Sequence, residues 1–482
     1  MKKVIASALS VAMVAAIAAG CTTPTPTDAP DGTTAAGSDV VETTAGGDGE
    51  TEATEATSGA VETTIGTGSE VINLWTFTEE VPGMVQYYVN NIDPDFGTKY
   101  TVKCTYINGA ENYQPAVDAA LVAGGDSAPD LYCAEADYIL KYTQGDMSRF
   151  AATYKSLGID VDSKIPAAEI AQYTVDIGTR DGEVVALGYQ ATGGAMIYRA
   201  SIAEEVFGSS EPADIEAVVG AGSGNWDKFW EAAATLKEKG YAVVSGSGDM
   251  WNVCKNAGQP WISPSGELTI APEREVFLDI AKKLKDEDLS NNAPGWDTAW
   301  YNDMMGVGDR GVFCFFGPAW LINYVMVRDG QKAAGEGTFG DWRVCTPPVG
   351  FFWGGTWLMA REGTTKAEGV AKIIEWVTLD TSETGLQYLW ANDKMGNNAK
   401  DTVASAVVMA KSDGSLEFCG GQNIFPTFIA GNSNASGKGM TQYDATINTY
   451  FTDAANQYAE GNLDRDAALE TFKANVSDNL SF

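Results

Sequence analysis

The chain has 482 residues, with seven cysteines, 65 carboxylates and no histidine, which bounds the chemistry open to it. Without imidazole, Ser-His-Asp and Cys-His catalysis, histidine general bases and His-ligated zinc are all excluded. Cys104, Cys133, Cys254, Cys314, Cys345 and Cys419 show no Cys-x-x-Cys spacing. Their even number permits disulfides. Cys104 and Cys314, however, lie in apolar strand-like runs, which favours buried thiols acting as small hydrophobes. Gly306 to Gly311 spells a dinucleotide fingerprint by letters, but it precedes the strand-like run 312–316 instead of following a strand, so it reads as a turn. Gly437-Lys438 lacks the rest of a P-loop, and no Gly-x-Ser-x-Gly elbow occurs. Two chemistries remain: carboxylate pairs, which suffice for glycoside hydrolysis, and capture by flat aromatic faces, for which 13 tryptophans are available, all after residue 70.

The seventh cysteine, Cys21, has a different setting. Lys2 and Lys3 form a basic head, and the run from Val4 to Ala19 is apolar but short for a membrane span. Ala18-Ala19-Gly20-Cys21 resembles a bacterial lipobox, with Ala18 where leucine is commoner. Residues 1–20 are therefore expected to be a lipoprotein signal peptide. Cys21 is expected to be the acylated new N-terminus, anchoring the chain on the extracytoplasmic face of the cell membrane. From residue 22 to 70 there is no aromatic residue, Lys or Arg, and Thr, Ala, Gly, Glu and Asp dominate. Such a stretch cannot bury enough apolar surface to offset its ordering entropy, so residues 21–70 are expected to be a disordered tether. Its root-mean-square reach would be about 40 Å.

The body that the tether holds starts, on this reading, at Val71. Its length exceeds one ordinary domain, which predicts two lobes. From residue 71 on, 55 acidic face 29 basic side chains. That balance argues against nucleic acid and anionic lipid surfaces as partners, since both require a basic footprint. Strand and helix patterns alternate. Strands are expected at 71–77, 100–107, 130–134, 312–316 and 356–360, and helices at 112–123, 138–143, 226–239, 366–379, 444–460 and 464–476. This is the pattern of an open α/β sheet, whose ligands sit beyond the carboxyl ends of the strands.

The order of short motifs is informative beyond the pattern. Leu74-Trp75-Thr76-Phe77 is followed by Ala128-Pro129-Asp130-Leu131, then by Gly182 to Gln190 leading into Ala195-Met196-Ile197-Tyr198-Arg199. Asn225-Trp226-Asp227-Lys228-Phe229, Phe316-Gly317-Pro318-Ala319-Trp320, Gly354-Gly355-Thr356-Trp357-Leu358 and Gly461-Asn462-Leu463-Asp464 complete the series. Behind a lipoprotein head, this succession resembles the family 1 extracellular solute-binding proteins, the sugar-binding receptors of bacterial ABC importers. The resemblance covers essentially everything after the linker. It implies a two-lobed periplasmic-binding-protein-like α/β fold with a ligand cleft between the lobes. By that analogy the N-terminal lobe is 71–192 with 357–418, and the C-terminal lobe is 196–354 with 424–482. The chain would cross near 192–196, 354–358 and 419–426. The resemblance also implies a non-enzymatic monomer, without cofactor or metal, that passes a carbohydrate to ABC permease transmembrane subunits.

A sugar has an apolar C–H face and a rim of hydroxyls, so it needs an aromatic plate and hydrogen-bond acceptors. Trp226, Trp230 and Trp376 lie in helical patterns and read as packing. The plate candidates are loop or crossing tryptophans: Trp320 in its Gly-Pro-Ala-Trp turn, Trp357 and Trp353 beside Gly354 and Gly355, Trp75 at a strand end, and Trp251 and Trp300 with polar neighbours. Gly355 would allow close ligand approach. For the hydroxyls the candidates are Glu79, Asn112, Glu135, Asp137 and Gln190, with Tyr443 before the last helices. Each acid reads equally well as a helix N-terminal charge. Two other functions compete with a sugar receptor. A glycoside hydrolase would share the tryptophans, and a receptor for a polyamine or peptide would suit the acidic loops.

Overall fold

The computed structural model describes residues 60–328, 330–396 and 399–482. The expected signal peptide, the lipidation site Cys21 and most of the expected tether lie outside the described residues. Among the described residues, no helix is long and apolar enough to cross a membrane.

The strands of the two main sheets are β1 (Ala60–Ile65), β2 (Glu70–Thr76), β3 (Tyr100–Ile107), β4 (Leu131–Glu135), β5 (Leu187–Gly188), β6 (Ala195–Arg199), β7 (Cys314–Gly317), β8 (Trp342–Cys345) and β9 (Thr356–Ala360). The first lobe is built on a six-stranded sheet of order β1-β3-β2-β4-β9-β5. Its centre, β3-β2-β4, is parallel, and β1 and β9 pair antiparallel to it. Burial explains the register. In β2, Ile72, Leu74 and Thr76 are fully buried while Asn73 and Trp75 keep some exposure, a period of two. The central β9 is buried on both faces, which suits its unbroken Trp-Leu-Met-Ala run. The helix Ala367–Thr378 covers this sheet with Val370, Ile373, Ile374 and Val377.

The second lobe carries the three-stranded sheet β8-β6-β7, extended by bridges Ala242↔Val312 and Val244↔Ser290. Its core gathers Phe229 and Leu236 from the helix Asp227–Glu238, Phe277 and Leu284 from Pro272–Asp286, and Phe451 and Phe472 from the two final helices.

Two chain crossings join the lobes as a paired ribbon. Between β5 and β6 the chain runs through residues 189–194, and between β8 and β9 through 346–355. The two runs meet where Gly193 bridges Phe352, Gly194 N–H donates to Phe351 C=O (2.8 Å) and Trp353 N–H donates to Thr192 C=O (3.1 Å).

Two boundaries differ from the sequence reading. Residues 60–65, inside the stretch 21–70 expected to be tether, form a strand, because Ala60–Ile65 zips along β3 from Ile107 to Val102. Only the two ends of this edge strand are buried, so its own composition carried no core signal. The third crossing, expected at 419–426, is spread over a longer run. Gln422 bonds both the N–H and the C=O of Val344 at the edge of β8, and the following helix Phe425–Asn434 packs on Gln172–Ile177 and Ala406–Ala410 of the first lobe as well as on β6 of the second. The start of the expected C-terminal segment 424–482 thus lies against the first lobe and the waist. Asn432 Oδ1 accepts from Gly193 N–H there (2.8 Å). All six described cysteines are buried free thiols, among them the strand residues Cys104 and Cys314.

Candidate functional site

β4 delivers its last residue, Glu135, to the waist. The carboxylate stays half-buried and accepts from the Asp137 backbone N–H (2.7 Å). Burial, and then the neighbouring Asp137 charge, pushes its pKa well above the usual carboxylate range. Opposite it, β7 ends in Gly317 and runs through Pro318-Ala319 to Trp320, which opens the turn Leu321–Met326. The Trp320 indole N–H donates to Trp353 C=O (3.0 Å), which fixes the plane of the ring. Gly354 lies between the two groups. A side chain there would begin 3.3 Å from Trp320 Nε1 and 3.5 Å from Glu135 Oε1, on a backbone with φ of 77°. Glycine is therefore what lets the indole and the carboxyl converge. Gly355, at φ 117°, lies against the Trp357 ring and Thr192. The Thr192 hydroxyl donates to Gly354 C=O (2.7 Å) and holds the crossing in place.

Around Trp320 stands an aromatic group. Trp353 meets it edge-on at 4.7 Å and 65°, and Trp296 lies parallel to it at 6.2 Å and 8°. Trp296 also contacts Trp353 (5.9 Å, 70°) and Trp300 (5.3 Å, 47°). Although it is a tryptophan, 54% of Trp296 is exposed, and its φ is 67°. Lys255 completes the rim, with Nζ 6.0 Å from the Trp353 ring centre and 3.6 Å from Asp137 Oδ1. A pocket beside this group is lined by Asp137, Lys255, Asn256, Phe352, Trp353 and Gly354. The fully buried Arg274 sets that wall, donating to the carbonyls of Lys255 (3.1 Å), Gln259 (2.7 Å) and Gly439 (3.0 Å).

Of the residues singled out in the sequence, the fold brings together Glu135, Asp137, Trp320, Trp353 and Gly355. It takes others elsewhere. Trp357 is fully buried in β9, its indole N–H donating to Thr174 C=O (3.0 Å). Trp251 packs between Phe277 and Phe451 in the second-lobe core, in the helix Ser247–Cys254 and not in a loop. Trp300 is buried in the helix Thr298–Met304 and donates to Asp249 Oδ1 (3.0 Å), although it backs Trp296. Burial raises the pKa of that aspartate to about 6. Trp75 is half-buried in β2. Asn112 is exposed on the helix Ala110–Ala123 and bonds Asn108 C=O (3.2 Å). Tyr443 packs on Phe482 at 5.3 Å. Gln190 is buried, donating to the carboxylate of Asp401. Glu79 is exposed and caps nothing, while its neighbour Glu80 turns inward to accept from the Tyr189 hydroxyl.

Trp296, Lys255 and Asn256 escaped the sequence reading. For Trp296 a signal existed: Ala293-Pro294-Gly295-Trp296-Asp297 is a turn sequence with one large aromatic outside any apolar period. For Lys255 no local signal exists.

Against known proteins, the family described as bacterial extracellular solute-binding protein matches residues 95–411. A comparison with curated protein sequences finds no match. Among solved structures, the chain is similar to an extracellular solute-binding protein family 1 structure (TM-score 0.69, 18% identity, 85% of this chain and 99% of that one). It is also similar to the sugar-binding protein MalE from Xanthomonas citri (0.64, 13%, 85% and 96%). A third similar structure is the galacto-N-biose/lacto-N-biose I-binding protein of the ABC transporter from Bifidobacterium longum, in complex with lacto-N-biose (0.63, 15%, 85% and 97%). At these identities the likeness speaks for the two-lobed fold.

Proposed function

The chain belongs to the bacterial extracellular solute-binding proteins, and from that premise we propose that it is the carbohydrate receptor of an ABC importer. In this reading it is a lipoprotein anchored through Cys21 outside the cell membrane. It captures a saccharide of oligosaccharide size at its waist and delivers it unaltered to permease subunits. The observation that carries the reading is the aromatic group at the waist: Trp320 fixed by its indole bond to the Trp353 backbone carbonyl, Trp353 edge-on to it, Trp296 laid parallel to Trp320, and Glu135 held across Gly354. The similar structures named above, a sugar-binding protein and a disaccharide-binding one, support the same class of ligand.

The physics suits a neutral polyhydroxylated ligand. Indole faces cover the C–H face of a sugar ring, and Glu135 and Asp137 meet its hydroxyls. A micromolar receptor needs about −8 kcal/mol, within reach of two or three stacked faces plus hydrogen bonds. A polycation is served less well, because the Lys255 ammonium faces the same rim and already pairs with Asp137. Catalysis is also disfavoured. Glycoside hydrolysis needs two carboxyls flanking the scissile bond, whereas Glu135 and Asp137 sit two residues apart on one loop of one lobe.

Thermal-shift and calorimetric screening of the purified protein against glycans, spermidine and peptides tests this, with chromatography of the recovered ligand. Saturable binding of one glycan class, recovered intact, is expected. A response confined to spermidine or peptides, or shortened glycan products, would overturn it.

A further inference from the structure

Behind the aromatic wall, the turn Leu321–Met326 that follows Trp320 makes its own contact with the first lobe. Asn323 donates through Nδ2 to Lys400 C=O (3.1 Å) and, more loosely, to Asp401 Oδ1 (3.4 Å). Asp401 is fully buried. Its carboxylate also accepts from the Thr402 N–H (2.8 Å) and from the amide of Gln190, on the first crossing between the lobes. The residue before Gln190, Tyr189, donates its hydroxyl to Glu80 at the start of the helix Glu80–Tyr87. Four segments therefore meet at one polar group: a first-lobe helix, a crossing, the 400–402 run and the second-lobe turn.

The charge of this group is unbalanced. Among the described residues, no cation pairs with Glu80 or Asp401, and Lys400 turns away to Asp413 (2.8 Å). The titratable groups facing the two carboxyls are each other, Tyr189 and, beyond it, Tyr324. The Trp390 indole N–H lies near Asp401, outside hydrogen-bond geometry. Every donor to Asp401 is thus neutral. Burial, and then the Glu80 charge, raises the pKa of Asp401 to about 7, and burial raises that of Glu80. Two buried carboxyls without a cation are best served by keeping a proton between them. Gln190 suits either state: its amide N–H donates to an ionised Asp401, and turned over, its carbonyl accepts from the neutral acid.

We propose that Asp401 is a proton-dependent positioning residue: when neutral it lets the Asn323 turn seat against the first lobe and hold Trp320 at the waist, and when ionised it favours parting of the lobes. This rests on the two-lobed fold and is independent of the saccharide reading. When Asn323 leaves with its turn, water reaches Asp401 and its pKa returns toward the ordinary carboxylate range. The seated form therefore holds the proton more tightly than the parted form. By linkage, acid favours seating, and the advantage is lost as pH rises from the ordinary carboxylate range through about 7. A ligand that touches Trp320 inherits this slope, its affinity falling by up to about tenfold per pH unit in that window for one proton.

The test is electron-spin distance measurement on the full chain without ligand, from pH 5 to pH 9. Labels go on Val122→Cys in the first lobe and Val307→Cys in the second, both exposed, with the chain lacking these substitutions as background. In the wild type the ratio of parted to seated populations is expected to rise at least tenfold between pH 5 and pH 8. Asp401→Asn, which mimics the neutral acid, should hold that rise below threefold. Asn323→Asp, which sets a second carboxyl across the contact, should move the rise at least one pH unit lower. A wild type whose distances ignore pH overturns the proposal, and so does an Asp401→Asn chain that parts as the wild type does. Should Asp401→Asn fail to fold in denaturant melts, Asn323→Asp decides, and an unmoved midpoint overturns it. None of these outcomes touches the receptor reading.

Discussion

The two walls of the waist are chemically different. The first-lobe wall is polar: Glu135 ends β4 and Asp137 follows it, and nearby Glu80 accepts from the Tyr189 hydroxyl while the buried Asp401 accepts from the Gln190 amide. Burial, with the Glu80 charge adding to it, raises the pKa of Asp401 to about 7. The second-lobe wall is aromatic, with Trp296, Trp300 and Trp320 converging on Trp353 at the crossing. A plate binds a face and an acceptor binds a rim, so neither wall alone is complementary to a hydroxylated ring. On the proposed saccharide reading, joining both sets of contacts requires the lobes to be together, which would tie occupancy to closure. Direct bonds already link the walls: Asn323 Nδ2 donates to Lys400 C=O (3.1 Å), and Asp146 N–H donates to Gln442 Oε1 (3.0 Å).

The largest effect should come from a tryptophan that belongs to neither wall. Trp357→Ala removes a fully buried ring and strands a carbonyl partner, so stability should fall by about 3–5 kcal/mol in denaturant melts. A loss of affinity without a loss of stability would move Trp357 into the site. Trp320→Ala should do the reverse, weakening glycan binding by roughly tenfold to a hundredfold in calorimetry, as expected when an interface anchor is truncated, with the melting temperature nearly unchanged. A collapse in melting temperature would make the aromatic wall a piece of core.

The polar wall should reveal itself through pH. The Glu135 pKa is raised from 4.5 to about 8 by burial, so between those values the folded state holds a proton that the unfolded state has lost. Stability from this group therefore falls as pH rises through that window. Glu135→Gln should flatten this slope in melts at pH 5 to 8, and an unchanged slope would mean the carboxyl is not desolvated. The smallest effect is expected for Lys255→Met. Its pairing with the half-exposed Asp137 contributes about 0.2–1 kcal/mol and is screened by salt, so variant and wild type should converge in affinity at high ionic strength.

The regular elements were legible because their periodicity is local. The strands read at 100–107 and 356–360 match β3 and β9, and the helix read at 226–239 matches Asp227–Glu238. β1 was illegible: Ala-Val-Glu-Thr-Thr-Ile continues the composition of the tether and becomes a strand only through its pairing with β3. Sorting tryptophans was harder still. Polar neighbours made Trp251 and Trp300 look like loop residues, but Asp249 turns inward to take the Trp300 indole N–H. Of the partners of Trp296, Trp300 lies in its own segment, but Trp320 and Trp353 arrive from 24 and 57 residues further along.

The amino-acid order by itself determined the class of molecule: an alternating α/β body with ample aromatic surface and no imidazole chemistry, in a motif succession shared with solute-binding proteins. Those properties depend on composition and on contacts between near neighbours along the chain. Which indoles became core and which gathered at the waist was decided only in three dimensions. That choice depends on the direction in which each side chain leaves its element, and on which distant strand end, glycine or carbonyl comes to lie beside it.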